Sequence, residues 1–307
     1  MRFASLCCLS LCLLGTSFLH ADPIPGIGPV GEIKTIASGF KFTEGPAADG
    51  KGNLYFTDIP NNRINKLDTN GEVSTFLEPS GHCNGLMIGP DGTIYACAMD
   101  GALISINPET KEVTQLATEH NGVRFNAPND LVLDKNGGIY FTDPRYRAPD
   151  PLPQEKEAVY YYAADGTVAR LLEEHIAPNG IILSPDEKTL YVIPTKESSM
   201  HAYPVLGPGK LGSSKVLCVL KQKEGSDGNQ GGDGLSIDTK GNLYITSALG
   251  IQVFSPSGEA LGIIEFPQHP ANVTFGGPEG KTLFVTARTG LYSVKMEAQG
   301  HIFPGKK

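Results

Sequence analysis

One hairpin recurs six times along this chain, and that repeat constrains the fold more than any other feature. Its copies are EGPAADGKGNLYFTD, NGLMIGPDGTIYACA, NDLVLDKNGGIYFTD, NGIILSPDEKTLYVIP, DGLSIDTKGNLYITS and NVTFGGPEGKTLFVTA. They carry Tyr55, Tyr95, Tyr140, Tyr191, Tyr244 and Phe284 at intervals of 40, 45, 51, 53 and 40 residues. In each copy a polar residue opens a short apolar strand. A turn rich in Asp, Gly, Asn or Pro comes after it, and then a second strand bearing the aromatic. Gly and Asn tolerate positive φ, and Asp closes such turns with its side chain. A third strand (NRINKLD, GALISIN, AVYYYAA, GIQVFSP, GLYSVKM) and usually a fourth (VSTFLE, VTQLAT, VARLLEE, ALGIIEF) come next. Four strands at this period read as a propeller blade. The expectation is an all-β, six-bladed β-propeller with four-stranded blades. The sixth copy lacks its fourth strand, and GEIKTIAS (Gly31–Ser38), upstream of the first copy, reads as the missing one. Pairing it with the last blade would close the ring and remove two sheet edges.

The first strand of a propeller blade lines the central channel, so residues in one register converge near the axis. The leading polar residues are Glu44, Asn84, Asn129, Asn179, Asp233 and Asn272, each eleven or twelve positions ahead of its aromatic. Asn and Asp also open strands simply by capping turns. A ring of them that includes Glu, a poor turn residue, points instead to a site. Two carboxylates near an axis repel and are costly to desolvate. A hard divalent cation relieves both, and oxygen-only donors suit Ca²⁺ best, with Mg²⁺, Mn²⁺ or Zn²⁺ as alternatives. No Gly-x-Ser-x-Gly elbow is present, which argues against a serine hydrolase.

Composition narrows the context. Met1-Arg2 followed by an apolar run from Phe3 to about Leu19 reads as a secretory signal peptide over residues 1–21. Residues 22–307 then form one propeller domain, secreted or periplasmic, with no membrane association after cleavage. The balance of 25 Lys and Arg against 33 Asp and Glu argues against a nucleic-acid partner. Beyond the leader only Cys83, Cys97 and Cys218 remain, an odd and sparse set, so no disulfide framework is expected. Two insertions break the period, at 143–157 and about 207–230. Pro- and Gly-rich insertions on a rigid scaffold are places where ligand contacts gather.

FTEGPAAD, RFNAPNDLVLD, APNGIILSPD and GGDGLSID, in this order over nearly the whole chain beyond the leader, resemble the SMP-30/gluconolactonase/luciferin-regenerating family. The resemblance implies one divalent metal in the channel and a small-molecule lactone substrate, typically a sugar aldonolactone. It implies Glu44, Asn129, Asn179 and Asp233 as metal ligands, Asp233 also as general base, and Arg124, Asn129, His82 and Asn84 as substrate contacts. Two other readings stay open on the residues alone. YFTD at Tyr55–Asp58 and Tyr140–Asp143 is similar to repeats of non-catalytic extracellular binding propellers. A paraoxonase-like arylesterase shares the fold but adds a histidine pair for which no motif is seen.

Overall fold

In the computed structural model, which describes residues 23–304, each repeat forms one antiparallel sheet, four-stranded except in the fourth blade, where the short strand Lys210–Leu211 adds a fifth. Blade 1 runs from Thr43 to Leu77, blade 2 from Cys83 to Ala117, blade 3 from Leu131 to Leu172, blade 4 from Pro178 to Val219 and blade 5 from Leu235 to Ile264. Blade 6 takes Pro270–Gly276, Thr282–Ala287 and Gly290–Lys295 from the end of the chain and Lys34–Ser38 from its beginning. The expected ring closure is therefore present: Lys34 pairs with Ser293 and Ser38 with Gly290, antiparallel. The leader expected at 1–21 lies outside the described residues.

Local chemistry explains the hairpins. Asp49 Oδ1 accepts from the backbone N–H of Lys51 and of Asn53, Asp134 Oδ1 from Asn136 and Gly138, and Asp238 Oδ1 from Lys240 and Asn242. Each carboxylate thus satisfies two turn donors, which is why Asp recurs at this position. The aromatics fill the gaps between blades. Tyr140 and Tyr244 are fully buried, and Tyr244 meets Phe275 of blade 6 edge-on, with ring centroids 4.9 Å apart. Hydrophobic clusters accordingly straddle adjacent blades, so the blades hold one another in a ring.

Because Lys34–Ser38 is the outer strand of blade 6, deleting residues 22–39 should expose the backbone edge of Gly290–Lys295. The expected result is oligomerisation or loss of cooperative unfolding, read by light scattering and thermal melting. A truncated protein that stays monomeric with an unchanged melting curve would contradict closure by this strand.

Cys83, Cys97 and Cys218 are free and buried. Burial pushes the Cys83 and Cys218 thiols up to about 12 and raises Cys97 well above the ordinary thiol range. Thiolate is the reactive form. A chromogenic disulfide reagent at neutral pH should therefore leave the folded protein, prepared without residues 1–21, unmodified over hours, and should titrate three thiols after unfolding. Fewer than three would reveal a disulfide.

A candidate catalytic site at the channel mouth

Backbone hydrogen bonds define the register of the innermost strands. Gly85 N–H donates to the Asn129 carbonyl at 2.8 Å, Gly180 N–H to Asp233 at 3.0 Å, and Gly234 N–H to Ala271 at 2.8 Å. Each bond joins the residue after one ring position to the ring position of the next blade. The ring is therefore Glu44, Asn84, Asn129, Asn179, Asp233 and Ala271. Asn272 stands one position further on, not in the ring where the repeat count put it. The blade 6 hairpin is one residue pair longer, Gly276 opposite Thr282. This adds two residues between ring and aromatic and shifts any count made backward from Phe284.

The layer beneath the ring is built from the residue next in sequence after each ring member: Gly45, Gly85, Asp130, Gly180, Gly234 and Asn272. A Cβ on Gly45 would overlap the Asn84 carbonyl, one on Gly180 the Asp233 carbonyl, and one on Gly234 the Asn272 amide. Four glycines thus make room for two side chains. Asn272 Nδ2 donates to Glu44 Oε2 at 3.0 Å, and Asp130 Oδ1 accepts from Leu131 N–H at 2.9 Å. Asp130 and Asn272 form a polar floor under Glu44. The same two residues, with His301–Phe303 of the C-terminal segment, line a cavity of about 120 Å³.

Above the floor, Asn179 and Asp233 meet directly. Asn179 Nδ2 donates to Asp233 Oδ1 at 2.8 Å and lies 2.9 Å from Thr195 Oγ1 and 3.2 Å from the Tyr146 hydroxyl. Tyr146 in turn donates to Thr195 Oγ1 at 2.6 Å. The insertion at 143–157 therefore reaches the ring through Tyr146, and burial pushes that phenol up to about 12, keeping it protonated. Glu44 Oε2 accepts from Gly45 N–H at 2.8 Å as well as from Asn272.

These bonds leave one oxygen of each of four ring residues without a protein donor among the described residues: Glu44 Oε1, Asn129 Oδ1, Asn179 Oδ1 and Asp233 Oδ2. Electrostatics points the same way. Burial, and then the charge of Asp233, raise Glu44 well above the usual carboxylate range. Burial lifts Asp233 to about 6, opposed by the Asn179 hydrogen bond and by the charge of Arg288, and lifts Asp130 to about 7. Converging, partly desolvated carboxylates with free amide oxygens beside them are what a hard dication neutralises. The donor set fits such an ion, with oxygen ligands throughout and no soft donor that would favour a thiolate metal.

The remaining sequence candidates gather elsewhere on the mouth. His82 Nδ1 lies 2.9 Å from Asp100 Oδ2, and its Nε2 lies 3.1 Å from Arg147, also of the 143–157 insertion. Arg124 donates to the Asp100 carbonyl at 2.7 Å. His82 and Arg124 thus share Asp100, on a rim with Arg147. Both ring nitrogens of His82 are engaged, one by a carboxylate and the other by a guanidinium. Asn84 is buried against Met99, its Nδ2 3.8 Å from the sulfur. Tyr146, Thr195, Asp130 and Arg288 were not identifiable as site residues from the repeat. Tyr146 lies in an insertion of the kind where ligand contacts gather, while the other three carry no pattern of their own.

The chain matches the family described as SMP-30/Gluconolactonase/LRE-like region over residues 42–289. It is 34% identical to a gluconolactonase of Zymomonas mobilis over 292 residues, 87% of this chain and 82% of that one. It is 27% identical to the lactonase drp35 of Staphylococcus haemolyticus, over 78% of this chain and 72% of the other. Among solved structures, a gluconolactonase from Xanthomonas campestris superposes with a TM-score of 0.78 at 26% identity, covering 86% of this chain and 89% of the other.

Proposed function

This chain belongs to the SMP-30/Gluconolactonase/LRE-like family, and from that premise we propose that it is a lactonase that opens a sugar aldonolactone, such as a gluconolactone, to its hydroxy acid. The relatives named gluconolactonase and lactonase support lactone hydrolysis. The observation that carries the mechanism is the set of unpartnered oxygens on Glu44, Asn129, Asn179 and Asp233, converging on buried acids. These four residues would hold one divalent cation, Ca²⁺ by preference for its all-oxygen ligands. When bound, the ion supplies Lewis acidity toward a carbonyl and compensates negative charge.

The protein's own groups account for the rest. Asp233, ionised and held by Asn179 and by the charge of Arg288, takes a proton from water as the water oxygen attacks the lactone carbonyl carbon. The ring C–O bond then breaks. The departing alkoxide recovers that proton from Asp233, so the site ends as it began. Asn179 cannot turn freely, because its Nδ2 is engaged by Asp233, Thr195 and Tyr146. Its Oδ1 is thereby kept toward whatever occupies the ring. Arg124 and Arg147 offer donors suited to the hydroxyls of a polyol, and His82 joins Arg147 to Asp100 beside them.

A hydrolysis panel of sugar lactones, aliphatic lactones and aryl esters tests this reading. Sugar lactones should be the best substrates by kcat/KM. Turnover of aryl esters alone would favour the arylesterase reading. Glu44→Gln removes a charge but keeps an oxygen, so the metal concentration for half-maximal activity should rise by about tenfold or more, the scale of losing one charged ligand. Much of kcat should return at saturating metal. An unchanged metal requirement would remove Glu44 from the ligand set.

A further inference from the structure

A second cluster of metal-binding side chains lies on blade 4, apart from the ring. His175 precedes the innermost strand of that blade. Glu197 sits in the turn between Thr189–Pro194 and Ser199–Gly207, and His201 lies in the latter strand. His175 Nδ1 lies 3.3 Å from Glu197 Oε1, and His201 Nε2 lies 3.1 Å from Glu197 Oε2. One ligand atom from each residue falls within 4.8 Å of the other two. Metal–ligand distances of about 2.0–2.1 Å in a tetrahedral site put neighbouring ligand atoms about 3.3 Å apart. Each imidazole nitrogen already lies at about that distance from one oxygen of the Glu197 carboxylate, which stands between the two rings.

Proton accounting supports an ion here. The hydroxyl of Tyr203 donates its one hydrogen to Glu174 Oε1 at 2.9 Å. Toward His175 Nε2, 2.5 Å away, Tyr203 can only accept, so His175 carries its hydrogen on Nε2. A neutral His175 then turns the lone pair of Nδ1 toward the carboxylate of Glu197, two acceptors facing each other. A cation seated between Nδ1 and the carboxylate resolves this. The chain Glu174–Tyr203–His175 also has the form of the outer-shell support that fixes the tautomer of a metal-bound histidine.

We propose that His175, Glu197 and His201 form a second metal site that takes a transition-metal dication of the Zn²⁺ class. Two imidazoles with one carboxylate select such ions over Ca²⁺ and Mg²⁺. The site is structural in its reach: Glu197 lies two residues from Thr195, whose hydroxyl orders Asn179 and Tyr146 at the channel mouth. An ion here pins the turn that carries Thr195. Asn229, from the second insertion, grips the same turn through Ser198 N–H at 3.1 Å and the Lys196 carbonyl at 3.1 Å.

The test uses the protein prepared without residues 1–21, stripped with chelator and titrated with Co²⁺ in the presence of excess Ca²⁺. One equivalent should give the intense visible absorption of four- or five-coordinate Co²⁺, and Zn²⁺ should abolish it by displacement. Zn²⁺ at about a hundredfold over its Kd should raise Tm by about 5 °C or more. Glu197→Gln and His201→Gln, both at partly exposed positions that leave the buried His175 in place, should lose the absorption and the Tm rise while melting cooperatively. Glu44→Gln should keep both, which separates this site from the channel. No cobalt absorption in the unaltered protein would overturn the proposal. Absorption lost in Glu44→Gln but kept in His201→Gln would do the same.

Discussion

Asp233→Asn should lower kcat for lactone hydrolysis about a hundredfold or more, the usual loss when a general base is removed, and added metal should not restore it. The substitution is nearly isosteric. An amide oxygen can still accept the 2.8 Å hydrogen bond from Asn179, so the side chain keeps its place in the ring. What disappears is the capacity to take a proton. The contrast with Glu44→Gln separates the two roles, because that variant should be rescued by metal and this one should not. Wild-type kcat in Asp233→Asn would exclude Asp233 as the base. A loss fully reversed by metal would reduce it to a ligand.

Gly45→Ala should be strongly destabilising. Gly45 has φ of +45°, where an L side chain is strained, and its new Cβ would overlap the Asn84 carbonyl with Gly85 close behind. Both obstacles are backbone and cannot rotate away. Overpacking and left-handed strain together should cost roughly 3 kcal/mol or more, a fall in Tm of about 5 °C or more. The damage reaches chemistry too, because Gly45 N–H fixes Glu44 Oε2 and any shift of that strand tilts the carboxylate out of the ring. Gly50→Ala provides the control, since nothing lies within 4 Å of its added Cβ and its Tm should move by no more than about 2 °C. Equal melting temperatures for the two variants would mean that blade 1 and blade 2 do not pack this tightly at the axis.

The glycines also explain how far the sequence could be read. Turn chemistry and strand period are local, so six hairpins were legible from spacing alone, and a missing last strand pointed to Gly31–Ser38, of which Lys34–Ser38 forms the strand. Glu44, Asn84, Asn129, Asn179 and Asp233 were legible as ring members because a propeller converts equal register into proximity. Asn272 was displaced by one position, since counting from an aromatic cannot detect a hairpin lengthened by a residue pair. Asp130 was hidden inside the same dipeptide as Asn129. Its importance comes from four glycines in other blades, whose empty volumes only the closed ring brings together. Tyr146, Thr195 and Arg288 sit after the second strands of their blades or in an insertion. Loop residues there obey no period, and only the folded path of the chain shows that Tyr146 and Thr195 converge on Asn179. The cluster of His175, Glu197 and His201 had the same obstacle, because its spacing straddles a strand and a turn.

Metal removal tests the central claim most directly. The protein would be stripped with chelator, freed of the chelator, and assayed on a sugar lactone before and after Ca²⁺, Mg²⁺, Mn²⁺ or Zn²⁺ is returned, with circular dichroism confirming that the stripped protein stays folded. The account predicts that kcat/KM falls to the uncatalysed background on stripping and returns with an oxygen-seeking dication. It also predicts that the same addition fails to restore Asp233→Asn. Full lactone hydrolysis by the folded, metal-free protein would contradict it.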